Sequence, residues 1–194
     1  MNSEPVLLPP GSGLPGPELW LGHFLFGLMR AGWSRESALR RFGQGGRRIL
    51  ALLQSLDDET GSRRVLVPRL MGLEDSSRHW SPFMIARHLV IVNRDALRII
   101  EALCAGRVPE GEVHMAGLKP APDTGREAVS DLESILAEFE RRVAQFPGWP
   151  GAGRHRHPWF GPLNAHGWLC MTAIHHGIHL RQLKRVLKAA SPGR

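Results

Sequence analysis

Cysteine is scarce in this chain of 194 residues, which contains only Cys104 and Cys170. The two residues lie far apart in the sequence and form no Cys-x-x-Cys pair. This excludes the framework of several disulfides on which many small secreted domains depend. Such scarcity is typical of a protein from a reducing compartment, and we expect a cytoplasmic location.

Long apolar runs are also missing. The longest strongly apolar stretch, residues 19–29, contains His23 and is shorter than the about 20 residues of a transmembrane helix. The first residues include Asn2, Ser3 and Glu4 and lack the basic region that opens a signal peptide. The sequence therefore predicts neither a membrane span nor a secretory leader.

Positive charge is present but not concentrated. The formal net charge is +7, yet the arginines are scattered singly or in pairs along the chain, without a long basic run. Arginine pairs of this kind are typical of the solvated faces of amphipathic helices. With 42% hydrophobic and 22% charged residues, the composition is that of an ordinary globular protein, and we expect no nucleic-acid partner.

Strict alternation of polar and apolar residues, which marks a half-buried strand, is absent as well. Apolar residues instead recur at helical spacing, which predicts an all-α fold. The four main helices are predicted at residues 34–56, 81–104, 125–146 and 164–190. The first has a weak point at Gly43, Gly45 and Gly46, whereas the second begins sharply, with Ser81 as N-cap and Pro82 at its first position.

The connection between the second and third helices, residues 105–124, is too long for a tight hairpin and favours a crossover along a bundle. We therefore predict a four-helix bundle over residues 34–190, with a long crossover between helices two and three. Residues 1–33 form a separate unit with a loose, Pro- and Gly-rich leader and an accessory helix. In that helix Trp20, Phe24 and Leu28 recur four apart, which favours packing on the bundle or in a homodimer.

Histidine carries the strongest chemical signal. Among the ten histidines, a single pair is spaced four apart, His175 and His179, and one such pair alone carries little weight. Both fall on the apolar stripe of the last helix, so their imidazoles are expected to point inward, one turn apart, where they could share an ion. His176, three residues before His179, could chelate instead, and spacing does not decide between them. His88 is the only histidine of the second helix and would, by itself, more usually be a satisfied or half-exposed residue.

Three local motifs add to this pattern, in order along the chain. They are Trp80-Ser81-Pro82 followed by Arg87-His88-Leu89, the loop His157-Pro158-Trp159-Phe160-Gly161-Pro162-Leu163 followed by Trp168-Leu169, and His175-x-x-x-His179-Leu180-Arg181-Gln182. Together they resemble the DinB-like superfamily over roughly residues 36–190. Two departures leave the subfamily open: Ile178 stands where many members have another histidine, and Leu180-Arg181 replaces Arg-Gly before the glutamine.

The resemblance implies a bundle that binds a divalent metal ion, with zinc or nickel favoured, on His88, His175 and His179, and with further coordination positions open. Characterised relatives include maleylpyruvate isomerases that depend on mycothiol and transferases that use bacillithiol. The implied function is thus a metal-dependent thiol transferase or isomerase, with a small electrophile and a low-molecular-weight thiol as partners. The apolar accessory helix adds the expectation of a homodimer. The alternative is a non-catalytic, metal-bearing scaffold associated with stress or dimerisation.

Five further residues are assigned lesser roles. Gln182 lies one turn beyond His179 and could orient a ligand or simply pack. His155 and His157 are expected at the surface, and Trp159, like Trp80, is expected to pack at the end of the bundle.

Overall fold

The computed structural model describes residues 5–190. Its helices and strands, in chain order, are α1 (Gly16–Gly32), α2 (Arg35–Gln54), α3 (Asp58–Ser62), β1 (Val65–Leu66), β2 (His79–Trp80), α4 (Pro82–Cys104), α5 (Glu127–Gln145), β3 (His155–His157), β4 (Gly161–Leu163) and α6 (Ala165–Ala190). Two short 3-10 turns, Asp75–Ser77 and Met115–Leu118, lie in the connections. Within the described residues, no helix is both long and apolar enough to cross a membrane.

Four long helices form the bundle. Helix α2 packs against α5 and α6, and α4 packs against the same two helices, which closes a ring around one apolar core. Large side chains fill this core, including Phe42, Phe83 and Phe139, all fully buried. The all-α four-helix bundle is therefore confirmed, as is the long crossover from α4 to α5, which contains the Met115–Leu118 turn.

The start of α4 follows the predicted signals. The Ser81 hydroxyl accepts a hydrogen bond from the Met84 backbone N–H at 3.1 Å, and Pro82 occupies the first turn, where its missing N–H costs nothing. This cap fixes where α4 begins and thus which of its residues face the core. His88, in the second turn, is buried with that face.

The predicted weak point in α2 is wrong, because the helix runs without interruption through its glycines. Their role is close packing. A Cβ atom placed on Gly45 would lie 2.9 Å from Cβ of His176, and one on Gly46 would lie 2.7 Å from the Leu136 side chain. Because glycine has no side chain, α2 can approach α6 and α5 closely at these positions.

Besides the helices there are two short antiparallel hairpins, one pairing Val65 with Trp80 and one pairing His155 with Leu163. Strands of two or three residues are too short to show alternation in the sequence. Each hairpin ends where a long helix begins, β2 before α4 and β4 before α6, so the hairpins fix the entries of both helices.

The N-terminal segment is not loose from residue 5 onward. The backbone N–H of Leu8 donates to Asp75 Oδ2 at 2.8 Å, and the N–H groups of Gly11 and Gly13 donate to the Glu74 carboxylate at 3.3 and 3.2 Å. Residues 1–4 of the predicted leader lie outside the described residues. Helix α1 then packs on the bundle as expected, through the buried ring of Phe26.

One face of α1 remains exposed, and we call it the outer stripe. It consists of Trp20, Phe24 and Leu28, with exposed fractions of 71%, 56% and 57%. The Trp20 and Phe24 rings stack with their centroids 6.3 Å apart. An apolar row of this kind in water is typical of an interaction surface.

Candidate metal centre

The second and fourth bundle helices, α4 and α6, bring His88, His175 and His179 together. The Nε2 atom of His175 lies 3.2 Å from Nε2 of His88 and 3.0 Å from Nε2 of His179. Each of the three side chains places one nitrogen within 4.8 Å of the other two. The structure thus gathers the predicted set of residues, which could hold a metal ion.

Hydrogen bonds at the far side of two rings fix their tautomers. His88 Nδ1 lies 2.7 Å from the Leu118 carbonyl, which can only accept, so this nitrogen carries the proton. Gln182 Nε2 donates to the Ser77 carbonyl at 2.7 Å, which orients the amide and leaves its oxygen to accept from His179 Nδ1, also at 2.7 Å. In both neutral rings Nε2 is therefore an unprotonated acceptor facing the cluster. Gln182 orients His179, as one of the two interpretations of the sequence proposed.

This arrangement fits a bound cation. Lone pairs on facing nitrogens repel each other at 3.0–3.2 Å unless a proton or a metal ion lies between them. Metal–nitrogen bonds of about 2.0–2.1 Å in tetrahedral geometry place two ligand nitrogens about 3.3 Å apart, close to the observed separations. Among the described residues, the buried Nδ1 of His175 has no hydrogen-bond partner. The contacts of this ring are made by its Nε2 atom, which points into the cluster.

Burial keeps the three imidazoles in the form that binds metals. Desolvation lowers the pKa of His88 from its ordinary value to about 4. It also lowers the pKa of His175 and His179 well below the usual range, and the neighbouring imidazoles act in the same direction. At neutral pH all three rings are neutral and offer a lone pair, because a proton and a metal ion compete for the same nitrogen.

Trp80 shields the cluster from solvent. Its buried ring lies with its centroid 5.0 Å from that of His88 and 6.2 Å from that of His179, nearly parallel to the latter. The predicted packing role is thus correct, but the tryptophan packs directly on two of the candidate ligands. Exclusion of water lowers the local dielectric constant, which strengthens electrostatic interactions at the site.

His176 belongs to a separate hydrogen-bond network and not to the cluster of three histidines. Its Nδ1 donates to the Phe42 carbonyl at 3.0 Å, its Nε2 accepts from the Asn93 amide at 3.1 Å, and its ring stacks on that of Phe42. The side chain is fully buried between α2, α4 and α6. The structure therefore places His175, and not His176, with His88 and His179. A polar Asn93 on the apolar face of α4 was a signal for this network that the sequence analysis missed.

The expected surface position of His155 is wrong, and His157 is half-buried. His155 is buried, with Nε2 bonded to the Gly111 carbonyl at 3.0 Å. His157 Nδ1 accepts from the backbone N–H groups of Trp159 and Phe160 at 3.1 and 3.2 Å, which holds the β3–β4 turn, and burial lowers the pKa of His157 to about 4. The hairpin, which the sequence pattern does not show, buries His155 and half-buries His157.

A cavity of about 430 Å³ lies above the three histidines. Its walls come from α1, α4, α6, the loop before α4 and the β3–β4 turn, and they include His88, His175, His179, Leu25, Phe26, Met71, Trp159, Phe160, Trp168 and Met171. Trp159 therefore lines this cavity as well as the end of the bundle. The volume falls within the about 300–1,000 Å³ of small-molecule sites, and the apolar walls are typical of them.

The fold and the site together define a class: a four-helix bundle with three converging imidazoles from its second and fourth helices at the base of an apolar cavity. The sequence model of the DinB superfamily matches residues 41–183, and the chain belongs to that superfamily. The predicted resemblance is confirmed.

Structural comparison agrees with this assignment. The chain is similar to the solved structure described as "Crystal structure of TT2238, a four-helix bundle protein", with 26% sequence identity and a TM-score of 0.54. The match covers 78% of this chain and 98% of that chain. No curated protein matches the sequence at a significant level. The superfamily match begins after α1, so the accessory helix lies outside the matched region.

Proposed function

We propose that this protein is a metal-dependent enzyme that transfers a low-molecular-weight thiol to a small electrophile, or isomerises an electrophile through a thiol adduct. The observation that carries the proposal is the convergence of three imidazole Nε2 atoms at the base of a cavity that can hold a ligand. Three protein ligands with space beside them are typical of catalytic sites, whereas closed structural sites use four.

The residues of the chain have separable tasks in this chemistry. The ion would be held by His88, His175 and His179. The Leu118 carbonyl orients the ring of His88, and Gln182 orients that of His179. The apolar walls of the cavity exclude water. A divalent ion, zinc or nickel in our proposal, lowers the pKa of a thiol bound to it and so supplies a thiolate at neutral pH.

The covalent step is a nucleophilic addition or substitution. The thiolate sulfur forms a bond to an electrophilic carbon, and the thiol proton passes to solvent. In a transfer reaction the leaving group departs with the electron pair of its bond. In an isomerisation the sulfur adds to a conjugated carbon–carbon double bond, and the π electron pair moves onto the adjoining electron-withdrawing group of the substrate. The adduct rotates about the bond that has become single, and the pair then returns to re-form the double bond as the thiolate leaves.

Metal analysis and thiol consumption test the proposal together. Elemental analysis of the purified protein should show a divalent metal in a stoichiometric amount, and the metal-loaded protein should accelerate the loss of free thiol with at least one member of an electrophile panel. Chelated protein should be inactive, and readdition of the metal should restore the rate. A metal-loaded protein that consumes no thiol with any combination of thiols and electrophiles would contradict the enzymatic proposal.

The outer stripe favours a second candidate, a metal-bearing scaffold that acts through dimerisation or through a partner protein. Trp20, Phe24 and Leu28 lie on the side of α1 that faces water, so a homodimer built on this face would bury them. Catalysis and dimerisation are compatible, and the homodimer is part of our proposal in either case.

Replacing Trp20 and Phe24 together by serine is expected to convert a dimer into a monomer, because it removes the largest apolar area of the outer stripe. Light scattering after size-exclusion chromatography would measure the mass. The matched control is Phe26→Leu, which changes an aromatic residue on the buried face of the same helix and should leave the mass unchanged. A wild-type protein that is monomeric at all concentrations would refute the dimer.

A further inference from the structure

Helix α1 forms one wall of the cavity above the three histidines. Leu21, Gly22, Leu25, Phe26 and Met29 of this helix line the cavity together with the bundle residues. Because the superfamily match starts at residue 41, this wall is an addition of this chain to the matched bundle. A wall of this kind can set what the site accepts without taking part in holding the metal.

The wall is anchored on both sides of the cavity. On one side Glu18 forms an ion pair with Arg69 and accepts from the Gly72 backbone N–H at 2.6 Å, which ties α1 to the loop before α4. On the other side the Phe26 and Phe160 rings stack with their centroids 4.4 Å apart, joining α1 to the β3–β4 turn. The helix therefore spans from the loop before α4 to the entry of α6 and is a fixed part of the site.

Further contacts at the end of α1 secure the same position. The Arg30 carbonyl lies 3.1 Å from Nε2 of His166, which donates to it from the first turn of α6. The pairing also explains a histidine for which sequence reasoning had no role. With anchors near both ends, α1 is held at a defined distance from the three candidate ligands.

The charged groups of the cavity lining are already paired or exposed. Glu74 accepts from the N–H groups of Gly11 and Gly13, and Asp95 pairs with Arg98. Among the lining residues that the structure describes, Arg181 is the sole arginine or lysine, and it is exposed. A carboxylate or sulfonate on the body of a bound molecule would therefore lose its hydration against the apolar walls, and an ion pair with the exposed Arg181 would be screened by water and would compensate little of that loss.

We propose that the cavity takes a neutral electrophile with an aliphatic or aromatic body, and that α1 sets this selectivity. The inference rests on the thiol chemistry proposed above, to which it adds the substrate class. The apolar body lies against Leu21, Leu25 and Met29 of α1, and the reacting carbon points toward the three histidines. Acids with charge on the body of the molecule are excluded by desolvation.

Gly22 offers a direct way to fill the cavity. It lines the cavity, and a Cβ atom placed there meets only one atom within ordinary contact distance, Cε1 of Phe160 at 4.0 Å. A leucine can therefore be accommodated by the fold while its side chain takes up the space of the ligand. Gly27, on the same helix, has no atom within 4 Å of an added Cβ and does not line the cavity, so Gly27→Leu is the matched control.

The test measures binding of N-phenylnaphthylamine, a neutral apolar dye that fluoresces in apolar surroundings, to the full-length protein as purified. We expect Gly22→Leu to weaken binding about tenfold or more and Gly27→Leu to leave it unchanged. Anilinonaphthalene sulfonate, which has the same aromatic skeleton with an added sulfonate, should bind the wild type more weakly than the neutral dye. As a second variant, Leu25→Glu, at a position with 38% exposure, should weaken binding of the neutral dye by placing a charge at the wall.

Thermal unfolding and metal content of each variant complete the experiment, and both should match the wild type. Neutral-dye binding that is unaffected by Gly22→Leu and by Leu25→Glu, or a sulfonate that binds as tightly as the neutral dye, overturns the inference. These outcomes are separate from failure of the proposed function, which would appear as absent metal or absent thiol consumption while the dye still binds in the cavity.

Discussion

Replacement of His179 by alanine is expected to abolish metal retention and, with it, any thiol-transfer activity, while the helical content remains close to that of the wild type. Of the three candidate ligands, His179 is the one whose orientation is fixed through Gln182 to the backbone at Ser77. Two imidazoles alone bind a divalent ion far more weakly than three. The fold should persist because apolar burial at about 25 cal/mol per Å² supplies most of its stability.

Metal content measured beside circular dichroism decides this prediction. His23→Ala, which removes an exposed histidine of α1 outside the cluster, is the matched control and should retain the metal. An alanine variant of His179 that still retains the full amount of metal would show that these imidazoles are not the ligands. If chelation of the wild type causes cooperative loss of helicity, the ion is structural, which favours the scaffold over the enzyme.

The second large effect that we expect is a loss of folding stability at acidic pH. The free energy of unfolding of the metal-free protein should decrease as the pH falls from 6.5 to about 4. Burial lowers the pKa of His176 from its ordinary value of 6.5 to about 4, so the unfolded chain binds a proton in this window that the native state does not. The stabilising contribution of neutral His176 is fully present above its pKa in the unfolded chain and is lost as the pH falls to its pKa in the native state. This residue alone should lower the free energy of unfolding by about 3 kcal/mol.

Urea unfolding at several pH values measures this slope. His88 has its pKa lowered to about 4 in the same way and adds to the effect. In the variant His176→Gln, the pH dependence should be shallower by one proton, because glutamine does not titrate. Unfolding free energies that stay constant between pH 7 and pH 5 in the metal-free wild type would contradict the prediction.

Local signals predicted the bundle well. The Ser81-Pro82 start of α4 and the apolar spacing of the long helices are properties of neighbouring residues, and the structure places α4, α5 and α6 within a few residues of the predicted bounds. The glycines of α2 misled the prediction, since intrinsic propensity penalises them in a helix interior. Their benefit comes from contact with α5 and α6, which lie far away in the sequence.

The candidate site was predictable only in part for the same reason. The spacing of His175 and His179 and the family motifs indicated the three residues, but spacing did not separate His175 from His176. That separation depends on Asn93 and on the Phe42 carbonyl, which belong to other helices. The cavity likewise depends on where α1 lies, and the sequence of α1 shows an apolar helix but not the side of the bundle on which it packs.

The close approach at Gly45 gives one helix control over the chemistry of another. His175 and His176 are adjacent, about 100° apart around α6, so a rotation of that helix by about this angle would exchange the residue that faces His88. The bare backbone of α2 at Gly45 accepts the base of His176 at a distance that no other amino acid permits without displacement. Gly45 thus acts together with Asn93 and the Phe42 carbonyl to determine which of the two neighbouring histidines faces His88, and Gly45→Ala should weaken this discrimination although Gly45 contacts none of the three candidate ligands.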